Sequence, residues 1–508
     1  MALTLPLWSL AAIPLYIALV ATKYLLFHPL RHIPGPKSWI IFPALRYISW
    51  VRGTFDIDMR RFHAQYGPVV RFSHDEVSFI TPDAWKDIYG SGRTPQHKHG
   101  QLPKVRHSAQ SIKAIASADD ADHSRYRRTL AHAFSAKALA DQEPLIQLYV
   151  DRLITRLRGV ADSNRPDNMV KWYNLTTFDI IGDLAFGQSF GGLDSSEYHH
   201  WVRTIFEAVS TSPLVFAMDA YPLLKPIIAA LIPWRLIESR RKQIEHSRIT
   251  VEKRLKKGSY NRSDFVDAML RSRSRGDDEK DEMTRPLTDE EIVANSNVLI
   301  IAGSETTATL LSGATYWILK TPGVLKKVVR EVREVMANES DITVLKASAD
   351  LPYMLACLEE TLRLYPPVPT GLQRWTVDPI NISGYDIPPR TKVSVHHSAA
   401  YTSPLYFHEP EKFIPERWLP AAKEDPASPF YNDNRAILQP FQVGPRNCIG
   451  RNLAYAEMRV GLARVLWNFD LELCEESRNW VEQKTYVLWE KGPLMCRLRI
   501  REDQAYQS

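Results

Sequence analysis

The sequence predicts a single large, mainly helical unit with a smaller β region. The 508-residue chain has no Gly/Ser-rich or Pro-rich linker, and it has no internal repeat that would divide it into several domains. Helical patterns recur from Asp122 to Leu364, whereas strand patterns are few: one follows Ser73, and a terminal hairpin is predicted over 485–498. The run 292–311 is apolar nearly all round and follows a capping box at Thr288, so we expect a central buried helix there.

Composition narrows the class of protein. The hydrophobic share of 44% is ordinary for a globular protein, and the net charge of +6 is modest. There is no Lys/Arg block or aromatic–basic interleaving, so we expect no nucleic-acid partner. The cysteines show no Cys-x-x-Cys spacing, which favours a reducing compartment over a disulfide framework. They are Cys357, Cys448, Cys474 and Cys496.

The N-terminal segment predicts a membrane anchor. Residues 6–27 are almost continuously apolar, and as a helix they would span about 33 Å, enough to cross a bilayer core. No Lys or Arg precedes them, while Lys23 and Arg31 lie at or after their end, so the bulk of the chain is expected to face the cytosol. A cleaved signal peptide is the alternative, but the positive n-region is missing. We therefore predict a single-pass anchor over 1–30 and a catalytic domain over 31–508.

Three further segments have a distinct composition. Residues 91–117 are rich in Pro, His, Gly and Ser, and 271–285 are highly charged, so both are predicted to be loops. Residues 202–236 are apolar and are interrupted by four prolines. This segment is either a core element or a surface that dips into a membrane or covers a lipophilic channel.

The sequence Phe-Gln-Val-Gly-Pro-Arg-Asn-Cys-Ile-Gly ends in Gly450 and places one cysteine, Cys448, in a loop of backbone-permissive residues. Arg446 lies two residues before the cysteine, and an apolar helical run follows it. A helix beginning near Cys448 would favour its thiolate, and a lone thiolate beside an aromatic ring suits an axial haem ligand. A buried free cysteine is the simpler alternative.

The pattern Phe-x-x-Gly-x-Arg-x-Cys-x-Gly resembles the haem-binding signature of the cytochrome P-450 family, with every defining position filled. The resemblance implies haem b with Cys448 as the axial ligand of the iron. The other defining residues of the signature are Phe441, Gly444, Arg446 and Gly450.

A second motif lies within the predicted central helix. Ala302-Gly303-Ser304-Glu305-Thr306-Thr307 places an acid beside a hydroxyl, which is costly to bury unless the pair is functional or has partners. The motif is similar to the family's oxygen-activation sequence. The resemblance implies that Thr306 stabilises activated oxygen, that Glu305 helps to relay protons and that Ala302 faces the haem. A purely structural bent helix is the alternative.

Two more groups of residues resemble family motifs. His123 and Arg127 are spaced to share a helix face. The family resemblance implies that they contact one haem propionate, and that Arg374, with Arg446, reaches the other. Glu-x-x-Arg at Glu360 and Arg363, followed by Pro-Glu-Arg ending in Arg417, implies a buried charged cluster that holds the cysteine loop. Without the resemblance, Glu360 and Arg363 would be read as an exposed ion pair.

Together, the motifs imply the helical prism of the cytochrome P-450 fold and a monooxygenase that inserts one atom of O2 into a lipophilic small molecule. The chain has no Gly-x-Gly-x-x-Gly fingerprint, so NADPH is expected to act through a separate membrane-bound flavoprotein reductase. The sequence is similar to those of fungal tailoring oxygenases of secondary metabolism, including the trichothecene hydroxylase type. This similarity implies a terpenoid or polyketide scaffold as the substrate. The expected location is the endoplasmic reticulum membrane. The alternatives are an isomerase or dehydratase of the same fold that uses no O2, and a non-catalytic haem sensor or lipid-binding membrane protein.

Overall fold

The structure, a computed structural model, describes residues 7–90, 113–198, 200–256, 264–274 and 285–501. Within these residues helices dominate, and small sheets complete the fold, which confirms the predicted mainly helical class. The helices are α1 Leu7–Leu26, α2 Lys37–Ile41, α3 Ala44–Arg52, α4 Phe55–Tyr66, α5 Pro82–Tyr89, α6 Asp120–Ala131, α7 Ala136–Asp162, α8 Met169–Phe186, α9 Gly192–Ser195, α10 His200–Ala220, α11 Lys225–Ala230, α12 Trp234–Lys256, α13 Phe265–Ser274, α14 Asp289–Lys320, α15 Pro322–Val335, α16 Val344–Ala349, α17 Pro352–Leu364, α18 His397–Tyr401, α19 Pro420–Glu424 and α20 Arg451–Asn468.

The strands of the described residues form three sheets. In the largest, the order is β1-β2-β7-β4; β2 and β7 are parallel, and the other neighbours are antiparallel. A second sheet has the order β3-β9-β8, and β5 and β6 form an antiparallel pair. The strands are β1 Val69–Ser73, β2 Glu76–Phe79, β3 Asp167–Asn168, β4 Arg374–Trp375, β5 Ile380–Ile382, β6 Tyr385–Ile387, β7 Lys392–Val395, β8 Phe469–Leu473 and β9 Met495–Ile500.

The central helix α14 organises the helical core. It begins with the predicted capping box: the Thr288 hydroxyl accepts from the Glu291 N–H at 3.2 Å, and the Glu291 carboxylate accepts from the Thr288 N–H at 2.9 Å. The helix packs against α8, α12, α17 and α20. Gly303 permits the close approach of α8, because a Cβ there would lie 2.6 Å from the Ile181 side chain. Most side chains of α14 are therefore buried, as the apolar run predicted.

Other helix predictions are confirmed with shifted boundaries. The buried helix α8 begins at Met169 and is ended by Gly187, which has φ +71°. The strand-then-helix pattern after Ser73 corresponds to β2 and α5, while β1 ends at that residue. The predicted loops 91–117 and 271–285 lie largely outside the described residues, but the loop prediction is wrong for 271–274, which form the end of α13.

The apolar segment 202–236 is broken at fewer prolines than predicted. Pro213 lies inside α10, and Pro226 lies in the first turn of α11, where its missing N–H is tolerated. The breaks instead come at Pro222 and Pro233. Several large apolar side chains of this segment are solvent-exposed, so it is not simply a core element.

No single helix among the described residues is long and apolar enough to cross a membrane. Within α1, Pro14–Leu26 form a shorter apolar helix. Ser210–Ala220 and Pro222–Ala230 are long and apolar enough only when taken together, and they meet at 117°.

The predicted terminal hairpin over 485–498 is wrong. Residues 484–493, which we call the C-terminal loop, contain a single isolated bridge between Thr485 and Trp489. The following strand, β9, pairs with β8 on one side and β3 on the other. Both edges of β9 are therefore occupied, and the loop folds instead against the helical core.

Candidate active site

The cysteine loop contacts the end of α5 and leads into α20. Its backbone is closed by a hydrogen bond from the Cys448 N–H to the Phe441 carbonyl oxygen at 2.8 Å. Gly444 has φ +78°, and a Cβ there would lie 1.8 Å from the carbonyl oxygen of Tyr89 at the end of α5. Glycine is therefore required for two independent reasons. Gly450, at φ −85°, does not use the conformational freedom of glycine, contrary to the prediction.

The loop also contains strain that the sequence did not reveal. Gln442 has φ +59°, an unfavourable backbone conformation for a residue with a Cβ. Its side chain is buried, and both polar atoms of its amide lack a hydrogen-bond partner. The surrounding packing has to hold this residue in place, so the loop conformation is imposed from outside.

Cys448 has the surroundings expected of a residue that lines an internal space. Its side chain is solvent-accessible, yet desolvation by the surrounding protein raises the pKa of its thiol. The Gly450 N–H and the cations Arg127 and Arg451 act in the opposite direction and favour the thiolate. The cysteine lies just before α20, so its sulfur is close to the positive end of that helix. Phe441 packs on Tyr455 of α20, with ring centroids 5.2 Å apart.

The residues predicted to bind propionates form two groups, and the first group contains Arg374 and Arg446. Arg374 is 4% exposed and stacks on the ring of Tyr89, with its Cζ 4.8 Å from the ring centroid. Burial lowers the pKa of Arg374 to about 10, and the positive charge of Arg446 contributes to the shift. Arg446 donates to Asp120 at 2.6 Å, but its Nη1 is buried without a partner. Two buried cations therefore lie near each other, and one of them has an N–H group without a hydrogen-bond partner. Such a pair could bind an additional anion.

The second group joins α6 to the cysteine loop. Arg127 donates to the Asn447 carbonyl oxygen at 2.7 Å and also to the Asn447 side chain. Its electrostatic contact with Cys448 places its guanidinium beside the cysteine. His123 is buried on the same helix, one turn earlier. The structure therefore places Arg127 against the loop itself.

The residues of the central-helix motif face different ways. Ala302 is exposed although the helix is surrounded by protein, and Thr306, one turn later, is half-buried. The Thr306 hydroxyl donates to the Ala302 carbonyl oxygen at 2.6 Å, as a mid-helix threonine commonly does. This accessible strip of α14 and the accessible Cys448 are the surfaces on which the chain could hold a flat, apolar cofactor.

Glu305 does not share that strip. Its carboxylate is 1% exposed and forms an ion pair with Lys491 of the C-terminal loop, with Oε1 and Nζ 2.6 Å apart. Burial raises the pKa of the Glu305 carboxyl, and Lys491 offsets only part of this shift. Lys491 was not singled out from the sequence, because a lysine before Gly-Pro reads as an exposed loop residue.

Glu360, Arg363 and Arg417 meet in one cluster that is completely shielded from solvent. Arg363 binds the Glu360 carboxylate through two nitrogens, at 2.7 and 2.9 Å, and the Arg417 Nε donates to it at 3.1 Å. Burial alone would raise the pKa of the Glu360 carboxyl, but the two arginines outweigh this effect and lower it. Two further members were missed: Trp418 donates to Glu360 at 2.8 Å, and Asp433 pairs with Arg417.

The side chains of this site have the chemical groups that could hold haem. Cys448 has a solvent-accessible sulfur, Arg446 has a nitrogen without a hydrogen-bond partner, and Ala302 is a small, exposed residue of α14. A thiolate ligand, cations for carboxylates and a small apolar face are the chemistry that an iron porphyrin requires. The residues present therefore fit the group.

Comparisons with known proteins identify the family of the chain. The sequence profile of the cytochrome P450 family matches residues 33–497. The chain is 54% identical over 502 residues to cytochrome P450 monooxygenase olcB of Penicillium canescens, covering 98% of this chain and 99% of that protein. It is also 54% identical over 495 residues to trichothecene C-4 hydroxylase of Trichoderma arundinaceum, covering 97% and 96% of the two chains. Averantin hydroxylase of Dothistroma septosporum is 42% identical over 484 residues, covering 94% and 88%.

The chain belongs to the cytochrome P450 family, which implies a haem–thiolate centre. Its relatives are fungal P450 enzymes, several of which are named as monooxygenases or hydroxylases. Its activity is that of a monooxygenase.

The close approach at Gly444 generates a prediction. Gly444→Ala should destabilise the fold by about 1–2 kcal/mol from backbone strain alone, with the contact to Tyr89 adding to this. Denaturant unfolding of the purified protein measures the effect. Gly323→Ala is the matched control, because its Cβ would meet no atom within 4 Å. Equal stability of the two variants would contradict the packing described for the loop.

The buried cluster generates a second prediction. Glu360→Gln leaves two buried arginines without their shared anion and should lower the free energy of unfolding by about 3–5 kcal/mol. Glu475→Gln is the control, because Glu475 pairs with Arg478 at 3.1 Å and both side chains are largely exposed, so the loss of this pair should cost about 1 kcal/mol or less. A loss below about 1 kcal/mol for Glu360→Gln would show that the cluster is not needed for stability.

Proposed function

We propose that the chain is a tailoring oxygenase that hydroxylates a lipophilic secondary metabolite, a terpenoid or a polyketide. The observation that carries the proposal is the 54% identity, over nearly the whole of both chains, to a protein named trichothecene C-4 hydroxylase. A hydroxylase takes one O2, two electrons and two protons, places one oxygen atom in the substrate and releases the other as water. The isomerase alternative has less support, because Thr306, the residue proposed to assist O2 chemistry, lies on the accessible strip of α14.

In this proposal the Cys448 sulfur would bind the haem iron, and the loop from Phe441 to Gly450 would hold that sulfur in place. Bound haem would supply the redox chemistry that activates O2. The hydrogen bond from the Cys448 N–H to the Phe441 carbonyl oxygen closes the loop and fixes the backbone that carries the sulfur. Gly444 brings the loop against α5. The Gly450 N–H donates towards the sulfur and reduces its basicity.

The carboxylates of the haem would be held by cations at two places. Arg374 and Arg446 form the first, and the unpartnered nitrogen of Arg446 supports this assignment. Arg127 and His123 of α6 form the second. Arg127 already donates to Asn447, so the same guanidinium would connect the cofactor to the cysteine loop.

The accessible strip of α14 would contribute a small residue and a hydroxyl to the cofactor site. Ala302 would leave space for the cofactor and substrate, and the Thr306 hydroxyl oxygen, whose proton is donated to the Ala302 carbonyl, would accept a hydrogen bond from water in that space. Glu305 lies one residue earlier and supplies protons from the other side of α14. Glu360, Arg363 and Arg417 do no chemistry in this proposal; they fix the segment that leads into the cysteine loop.

Electrons would come from an NADPH-dependent flavoprotein reductase, because the chain carries no nucleotide-binding fingerprint of its own. A lipophilic substrate and such a reductase both favour a membrane location, and we propose the endoplasmic reticulum membrane with the catalytic domain in the cytosol. The described structure offers two apolar surfaces for this purpose. One lies on α1, where Leu15 and Leu19 are each 61% exposed.

The second apolar surface is formed by the turn before α11 and the start of α12. Leu223 is 95% exposed, and Trp234 is 73% exposed. The two surfaces are connected through packed elements, because α1 contacts α2, α2 contacts α3 and α3 contacts α10. Exposed apolar patches of this kind are typical of membrane contact.

The axial ligand is tested by Cys448→His. The reduced, CO-bound protein should show the red-shifted Soret band of a thiolate-ligated haem, and the substitution should abolish that band while haem is retained. Cys474→Ser is the matched control, since Cys474 lies after β8 and away from the loop. A band that survives Cys448→His would assign the ligand to another side chain, and purified protein without porphyrin would contradict the proposed function.

Membrane contact is tested by substituting the two surfaces separately and together. Leu15→Ser with Leu19→Ser, and Leu223→Ser with Leu231→Ser, should each weaken flotation with phospholipid vesicles, and the four changes together should weaken it by roughly 10²-fold or more. Leu345→Ser is the control, because Leu345 is 76% exposed on α16 and belongs to neither surface. Unchanged flotation of the fourfold variant would contradict the proposed membrane contact.

A further inference from the structure

Arg451 is the first residue of α20 and lies three residues after Cys448. It is solvent-exposed, and within the part of the chain that the structure describes it forms no ion pair or hydrogen bond. Its guanidinium lies instead against two aromatic rings, with Cζ 5.8 Å from the ring centroid of Phe441 and 5.9 Å from that of Tyr455. A cation is attracted to the electron-rich face of such a ring, so Arg451 has a preferred position without an acidic partner.

The two rings that carry Arg451 are themselves held by the fold. Tyr455 is 9% exposed and packs against Phe441, with the ring centroids 5.2 Å apart. The Tyr455 hydroxyl donates to the Glu359 carboxylate at 2.6 Å. Glu359 belongs to α17 and directly precedes Glu360, the anion of the buried charged cluster. The same helix therefore fixes the segment before the cysteine loop and the first turn of α20 after it.

The Cys448 sulfur lies within reach of this cation. The Cys448 N–H donates to the carbonyl oxygen of Phe441, the residue whose ring carries Arg451. Burial raises the pKa of the Cys448 thiol, and Arg127 and Arg451 are the side-chain cations that act in the opposite direction. Arg127 already donates two hydrogen bonds to Asn447, whereas Arg451 donates to no such acceptor. Arg451 is therefore the cation near the sulfur that the loop itself does not use.

We propose that Arg451 sets how readily the haem bound by Cys448 accepts an electron, and that Tyr455 is the positioning residue that keeps Arg451 beside the cysteine loop. The proposal deepens the proposed function and rests on it, because it requires Cys448 to bind haem. A positive charge near the sulfur stabilises the state that has gained an electron, so Arg451 raises the reduction potential. The electron comes from the flavoprotein reductase, and no bond of the chain forms or breaks.

An exposed cation beside the cysteine loop also suits contact with an acidic partner protein. The two roles differ in what they change. A partner contact changes the rate at which electrons arrive, whereas a charge that acts on the sulfur changes the equilibrium between the oxidised and reduced protein. An equilibrium measurement without any partner protein therefore distinguishes them.

The first test is a redox titration of the haem-containing protein with dithionite and mediator dyes, without a reductase. At a fixed potential, Arg451→Met should lower the ratio of reduced to oxidised protein by roughly 3- to 10-fold, because the cation is lost. Arg451→Lys keeps the charge and should restore most of the ratio. Arg459→Met is the matched control: Arg459 also stacks on Tyr455, with Cζ 4.8 Å from the ring centroid, but it is not among the charges that act on Cys448. Its ratio should equal that of the unsubstituted protein.

The second test examines the positioning role of Tyr455 by the same titration. Tyr455→Leu removes one of the two rings under Arg451 and should lower the ratio in the same direction as Arg451→Met. Tyr455→Phe keeps the ring and should retain the ratio of the unsubstituted protein. Because Tyr455 acts through Arg451, Tyr455→Leu should add no further change to Arg451→Met. Additive effects in the double variant would overturn the positioning role.

The reduced, CO-bound spectrum separates this proposal from the proposed function. The Arg451 and Tyr455 variants should all retain the thiolate-type band, because Cys448 is unchanged in them. If the unsubstituted protein lacks that band, the proposed function fails. If the band is present and Arg451→Met has the same ratio of reduced to oxidised protein as the unsubstituted protein, the role proposed for Arg451 is wrong. A change confined to the rate of reduction by the flavoprotein reductase would make Arg451 a partner contact instead.

Discussion

The carboxylate of Glu360 is completely shielded from water, so its charge has to be neutralised inside the protein. Arg363 does this from the same helix, and Arg417 does it from a segment more than fifty residues later. Both arginines also donate to backbone carbonyl oxygens in the region between them, including those of Tyr401 and His408. One buried anion therefore fixes a long, irregular stretch of chain that has little regular secondary structure.

This stretch leads directly into the cysteine loop. Asp433 pairs with Arg417, and Arg435 donates to the Arg417 carbonyl oxygen. These contacts fix the backbone at residues 433–435, shortly before Phe441. The loop then has to accommodate an unfavourable backbone angle at Gln442 and a close contact at Gly444. A strained conformation persists only when its surroundings determine it. The charged cluster and the end of α5 supply those surroundings, and the position of the Cys448 sulfur follows from them.

The polar side chains of the central-helix motif lie on two different sides of α14. Successive residues of a helix point about 100° apart, and here Glu305 and Thr306 have different surroundings. The hydroxyl belongs to the accessible strip with Ala302, while the acid is turned towards α8 and the C-terminal loop. Lys491 is the counter-ion of the acid on this second side, so the charge of Glu305 is balanced away from the accessible strip.

Much of the fold was predictable because it depends on local pattern. The capping box at Thr288 was predicted correctly, since hydrogen bonds within a few residues decide it. The terminal hairpin was wrong for the opposite reason: which strands pair with β9 depends on β8 and β3, which lie elsewhere in the sequence. The break predicted at Pro213 was also wrong, because the surrounding packing tolerates a proline inside α10.

The sequence by itself determined the family, the helical class and the residues of the cysteine loop and central-helix motif, because these are carried by residue identity and by short-range spacing. Only the tertiary structure decided that Tyr89 supports both Gly444 and Arg374, and that Asp433 and Trp418 complete the buried cluster. It also decided that Lys491, which looks like a surface residue in the sequence, is buried against Glu305. The physical reason is the same in each case: an electrostatic partner is chosen by distance in space, and no local pattern records which distant segment will bring it.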